Sequence, residues 1–252
     1  MIPGDLLSHE TSRRGDGTYA RDGSLYASLY GLLNERERTI RVIPLSGRYI
    51  PRRRDLIIGF VKEIIFSNWV IDIRSPYEGL LHVSEYPERI ELDEMSAHLK
   101  VGEAVLLMVK EVDPMMNIEL TMRDRRLKVI RSGRIVEISP SKVPRLIGHG
   151  GSMISLIKNA TGCSIIVGQN GRVWIDGEAC ESLRAAEAID KIESESHIPG
   201  LTDRLGRFFE ETKNDADLNE SDSNESDSEE EVVVESGEEA GKGNNIIDEL
   251  LE

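Results

Sequence analysis

Leu146-Ile147-Gly148-His149-Gly150-Gly151-Ser152-Met153-Ile154 is the stretch on which the reading of this chain turns. Three glycines in four positions precede a run, 152–161, whose Met153, Ile154, Ile157 and Ala160 fall on one face of a helix. Upstream, residues 133–139 read as a strand ended by Pro140, and Ser141 caps a short helix that runs to Ile147. Downstream, Gly162 stops the helix, and 163–168 and 172–176 form a hairpin around Asn170-Gly171. Residues 178–196 then read as an amphipathic helix with Ala179, Leu183, Ala186, Ile189 and Ile192 inward. The unit 123–200 is therefore β-α-α-β-β-α, with a glycine corner between its first two helices.

Working toward the N-terminus, residues 55–122 read as five short strands: 55–66, 69–73, 78–84, 101–112 and 118–122. A polar stretch at 87–99 has helical character. Five strands in about seventy residues suit a small closed barrel of the OB type. Residues 1–54 are shorter pieces, such as 24–33 and 39–44, punctuated by Gly4-Asp5, Gly15-Asp16-Gly17 and Asp22-Gly23. They suit a small β-sandwich or barrel, followed by a basic joint at Arg52-Arg53-Arg54. Residues 201–213 read as a short helix.

Charge divides the chain sharply. The whole sequence carries 31 Lys and Arg against 46 Asp and Glu, a net of −15. Residues 210–252 hold 17 of the acids and only 2 bases, so the body is neutral. Within it, residues 123–172 carry 10 bases against 2 acids, a surface suited to a polyanion. The acidic segment 214–252 lacks aromatics and is expected to be disordered, as a solubility tail, a nucleic-acid mimic or a docking arm. Its terminal Ile246-Ile-Asp-Glu-Leu-Leu251 is apolar enough to act as a partner motif.

Several functions are disfavoured by the same residues. No stretch of 18 apolar residues suggests a membrane partner, and the N-terminus has no apolar leader, so a cytoplasmic location is expected. Cys163 and Cys180 form no CxxC pair and are expected to be buried apolar residues. Five histidines fall in different units without metal-ligand spacing, and the body's acids are dispersed. No catalytic residue, metal site or cofactor is expected.

Two resemblances sharpen this. Gly59-x-Val61, Glu78-Gly-Leu-Leu-His-Val-Ser84 and Val101-Gly-Glu-x-Val105 resemble the RNA-binding OB domain of the ribosomal protein S-one type. That likeness implies base stacking on an outer sheet face, with His82 at the family's histidine position. Aligning Asp72-Ile73 with the family's Asp-Leu puts Phe66 and Trp69 one residue off the usual aromatic positions, so they read as platform or as core; Tyr77 is a rival. The glycine corner in its helical setting resembles a KH domain. There the missing side chains admit the nucleic-acid backbone, and the following helix N-terminus faces phosphate. Gly148, His149, Gly150 and Gly151 form the loop, Arg145 and Lys142 hold phosphates, and Lys158 adds a weaker pull. His149 occupies a position often basic in that family, so RNA affinity is expected to rise modestly as pH falls toward 6.

The module order, with Pro3-Gly4-Asp5 and Gly17-Thr18-Tyr19 near the start, resembles the exosome cap subunit family, in its archaeal form. That resemblance implies a non-catalytic subunit that captures RNA 3′ ends, with an A-rich preference. It feeds them to a phosphorolytic ring of RNase PH-like subunits. Partners would be RNA, that ring, and two further copies in a trimeric cap, alone or mixed with a zinc-ribbon cap protein. Lys62, Arg123, Arg125 and Arg126 would line the RNA path, while Tyr77, Trp69 and His82 contact bases. An RNA-binding transcription or translation factor is the alternative.

Overall fold

The structure, a computed structural model, describes residues 1–8, 13–36, 39–196, 198 and 200–210. The expected acidic tail at 214–252, and the last part of the expected helix at 201–213, lie outside them.

The N-terminal β module is two three-stranded sheets. One has the order β1 (Leu6–Ser8), β4 (Ser24–Ala27), β3 (Thr18–Arg21); the other has β2 (Arg13–Arg14), β6 (Thr39–Pro44), β5 (Gly31–Arg36). The segment read as 24–33 is broken between Ala27 and Gly31 and shared between the two sheets. Leu25, Ala27, Ile40 and Val42 are buried, and the buried Thr18 hydroxyl donates to Gly15 O at 2.7 Å. The buried Thr18 hydroxyl thus has a partner, as a dry interior requires.

The five-stranded barrel comprises β7 (Leu56–Ile65), β8 (Asn68–Asp72), β9 (Gly79–His82), β10 (Ala104–Val112) and β11 (Ile118–Thr121), and a short helix α1 (Met95–His98). The order β11-β9-β8-β7-β10 closes on itself through β10–β11 pairing, and the short β12 (Val129–Ile130) adds to the start of β10. Its interior holds Ile57, Val61, Trp69, Ile71, Leu81, Val105, Leu107, Val109, Ile118 and Leu120, the inward positions of an alternating pattern. Tyr49 also reaches this core and donates to Asp55 Oδ2 at 2.6 Å. Burial and the Asp55 carboxylate push its hydroxyl far above the usual tyrosine range.

The KH unit has a three-stranded sheet, β13 (Arg134–Glu137), β15 (Arg172–Asp176), β14 (Ser164–Val167), and helices α2 (Val143–Ile147), α3 (Ser152–Thr161) and α4 (Ala179–Glu195). Ile138, Val143, Leu146, Met153, Ile157, Ile165, Val173, Ile175 and Ile189 fill its core. A helix over 201–210 adds Leu201, Leu205 and Phe209 to that core. Three side-chain expectations are corrected. On α4 the buried stripe is Ser182, Ala185, Ala186, Ala188, Ile189 and Ile192, and Leu183 is 47% exposed. The helix is rotated so that small residues meet the sheet, and its first turn, with Ala179 and Cys180, lies outside the core. Cys180 is thus exposed, and Cys163 is buried. On α3 the place expected for Ala160 goes to Thr161, whose hydroxyl donates to Ile157 O at 2.9 Å.

A third core joins barrel and KH sheet: Ile58, Leu106, Leu127 and Trp174 are buried together, with Leu56, Met108, Ile135 and Ile166 around them. Strand β7 is apolar on both faces at its start because one face meets the barrel interior and the other meets this seam.

Candidate nucleic-acid interface

The glycine corner follows α2 directly, and its backbone explains its composition. Gly148, Gly150 and Gly151 have φ of 74°, 60° and 82°, a region L side chains rarely adopt. A Cβ at Gly148 would stand 2.9 Å from the Met153 amide nitrogen, so that position is closed to side chains. Gly150 differs: nothing lies within 4 Å of where its Cβ would be. The chain is bare there and faces open space. Gly151 is the N-cap of α3 and no side chain caps that helix; the Ser152 amide donates to His149 O, which leaves the later amides of the first turn for an anion.

The surroundings are cationic. No carboxylate occurs between Glu137 and Asp176. Arg145 is exposed on α2, Lys142 is half-buried at its start, and His149 is exposed in the loop. Lys158 is exposed on α3, four residues after Ile154 and seven after Gly151, on the face that continues from the loop. These residues lie on the loop and on the two helices that flank it.

The barrel presents a second surface. Strand register pairs Asn68 with His82, Val70 with Leu80 and Ile65 with Asn68, which sets Ile65, Asn68, Leu80 and His82 on the outer face. His82 is exposed, and its Nδ1 accepts from the Ser84 amide at 3.1 Å, which orients the ring. Tyr77 is 39% exposed just before β9. Lys62 is the extra residue of a bulge in β7 and is paired with Glu78, which raises its pKa.

The expected base contact of Trp69 is corrected, and the structure separates it from Phe66. Trp69 is 0% exposed and packs in the barrel with its ring centroid 5.8 Å from that of Tyr86. It offers no face to a base, because the one-residue offset in β8 turns it inward. Phe66 is 84% exposed, since it sits in the turn between β7 and β8 where strand alternation no longer applies. The signal that could have found it is its place between two strand runs.

The arginine cluster divides. Arg123 Nε donates to Ser84 O at 3.0 Å, which brings it beside the His82–Ser84 turn. Arg125 is exposed. Arg126 is engaged by Asp124 at 2.9 Å, and that contact with the Arg126 amide holds the Asp124 carboxyl at about 2. Its charge is matched locally, so Arg123 and Arg125 carry the attraction of this turn.

Fold and surfaces define a three-module chain, a small β module, an OB barrel and a KH unit, built to meet a polyanion. A KH domain family model matches residues 133–179, and the exosome RNA binding protein RRP4 N-terminal domain model matches residues 1–46. The Exosome complex component Rrp4 of Methanosarcina mazei is 52% identical over 82% of this chain and 80% of its own length. That of Thermococcus kodakarensis is 42% identical over 82% and 83%. A crystal structure assigned as an exosome complex RNA-binding protein aligns with TM-score 0.62 and 35% identity, over 67% of this chain and 98% of that one. The chain belongs to the Rrp4 family of exosome complex components.

Proposed function

We propose that this chain is the RNA-binding, non-catalytic cap subunit of an exosome. It captures RNA 3′ ends, with preference for A-rich tails, and passes them to a ring of RNase PH-like subunits that degrades them phosphorolytically. The observation that carries this reading is the open backbone at Gly150, beside a helix start that no side chain caps and preceded by exposed Arg145 on α2. The barrel's His82 face supplies a second, weaker contact, and linked weak sites on three copies would act by avidity. The N-terminal module supports ring docking. Leu32 and Ile43 stand opposite each other on neighbouring strands and are 59% and 41% exposed, beside Tyr30 and Leu45. Such an apolar strip on a small module marks a protein contact. The cap would be a homotrimer, alone or mixed with the zinc-ribbon cap protein.

Among the described residues no group of three His, Cys, Asp or Glu could hold a metal ion, and no helix is long and apolar enough to cross a membrane. The test is a Gly150→Asp/Gly151→Asp double variant in a reconstituted complex. Loss of RNA capture with intact ring assembly supports the reading; unchanged capture of an oligoribonucleotide overturns it.

A further inference from the structure

A cleft of about 710 Å³ opens where the three modules meet. Its walls include Arg48 from the segment after β6, Arg74 and Ser75 from the loop after β8, and Ser141 and Lys142 from the turn into α2. Asp72 also lines it, but that carboxylate is held by Arg172 Nη2 at 2.5 Å, so it offers little repulsion. Arg74 is fixed in place: its Nη1 donates to Ile138 O at 2.5 Å and Gly171 O at 3.2 Å, and its Nε is paired with Glu137 at 3.4 Å, so its charge is partly matched. It does so with φ of 57°, a left-handed conformation that is strained for a non-glycine residue. Ser75 Oγ accepts from the Tyr77 amide, which leaves its O–H free to donate outward. Arg48 and Lys142, with the Ser75 and Ser141 hydroxyls and the positioned Arg74 guanidinium between them, are a donor set for phosphate oxygens.

We propose that this cleft is a phosphodiester subsite that continues the RNA path from the glycine corner across the seam of the three modules. The inference rests on the RNA-binding reading above. Lys142 belongs to both places. It stands at the start of α2, and Gly148 follows six residues later, a rise of about 9 Å at 1.5 Å per residue. A strand held at the corner thus reaches the cleft within a few nucleotides. The interlocked barrel and KH unit keep Arg74 and Lys142 in fixed relation, and Arg48 adds a charge from the N-terminal module.

The test uses the full chain with Arg48→Glu, an exposed residue outside every core, and its thermal midpoint reports on folding. A tetranucleotide fills the corner alone, since a KH loop clamps about four nucleotides. A dodecanucleotide reaches further. Arg48→Glu should leave the tetranucleotide unaffected and weaken the dodecanucleotide about threefold or more at low salt, with the slope of log K against log salt shallower by about 0.7. Equal binding of the dodecanucleotide by both proteins, while the Gly150→Asp/Gly151→Asp variant loses it, overturns the subsite and leaves the RNA-binding reading standing. If the loop variant also binds normally, that reading fails too. Competition by millimolar inorganic phosphate in the wild type but not in Arg48→Glu would assign the cleft to free phosphate and overturn the strand assignment.

Discussion

Arg172 of the KH sheet reaches Asp72 of the barrel at 2.5 Å, and its aliphatic and planar surfaces lie over Phe60, 4.6 Å from the ring centroid. The same guanidinium donates to Asp72 O at 2.7 Å and is bound by Glu137 at 2.9 Å. Arg172 is only 5% exposed, so a long cationic side chain is buried with all its directions answered. Two modules that read as separate in sequence are joined here by a polar clasp over an apolar seam.

The clasp carries a pH signature. Burial pushes the Asp72 carboxyl up, but the Arg172 guanidinium and the Arg74 amide outweigh that and hold it below the usual range. Its folded value is depressed, so the contribution is present above the unfolded value of about 3.9 and is lost as pH falls through the lower folded value. In urea unfolding, wild type should exceed Arg172→Met in stability at pH 5 to 7. The gap should narrow as the pH is taken from about 4 to lower values. A gap that stays constant over that range would show that Asp72 is not the partner that matters.

Asn170 makes a second clasp. Its Nδ2 donates to Ile58 O at 2.7 Å and Ile73 O at 3.0 Å, and its side chain is completely buried. Asn170→Ala removes both donors and leaves Ile73 O without this partner and Ile58 O with Arg172 Nη1 at 3.3 Å, a loss of about 1–3 kcal/mol. Asn170→Asp keeps the size but brings acceptors against acceptors, and should be worse. Chemical denaturation of the three proteins checks the order, and equal stability of wild type and Asn170→Ala would remove the clasp from the account.

Asn170-Gly171 also shows what was legible in the sequence. Its turn chemistry placed the hairpin correctly, because Gly171 at φ 82° meets a local demand. That the asparagine side chain points into another module was not readable, since it depends on Ile58 and Ile73, about a hundred residues away. The element order of the three modules followed from local periods and turn residues, and the S-one OB and KH assignments from the resemblances that the EGLLHVS and LIGHGGSMI stretches carry. The corner's glycines followed too, because backbone geometry restricts composition. The aromatic face did not. Phe66 and Trp69 differ in exposure through the single residue at which β7 turns, and a hairpin tip shifts by one without changing the hydrophobic pattern. The rotation of α4 was likewise invisible, since both stripes of that helix contain small or apolar residues.

That difference between the two aromatics makes a clean pair of variants. Phe66→Ala removes an exposed ring next to the His82 face and should weaken oligoribonucleotide binding by about 1 kcal/mol, roughly fivefold, at unchanged thermal stability. Trp69→Ala empties the barrel interior and should cost about 3–5 kcal/mol of stability. Trp69→Phe retains most of that packing and should bind RNA as wild type does. Tight binding by Phe66→Ala with weakened binding by Trp69→Phe would place the stacking surface on the other side of β8.

The exposed pair Leu32 and Ile43 lets the proposed docking be tested apart from RNA capture. Both lie on the outer face of the β5–β6 ladder, while Ile40 and Val42 of the same strand point into the core, so the outer face can change without loss of the module. A charge placed there must be desolvated if the face is covered by a partner, and costs nothing comparable if it stays wet. Leu32→Glu/Ile43→Lys should therefore keep the thermal midpoint and the RNA affinity of the isolated chain. It should weaken association with the RNase PH-like ring about tenfold or more, read by size-exclusion chromatography with light scattering. Normal assembly of the double variant would move the ring contact to another face of the N-terminal module.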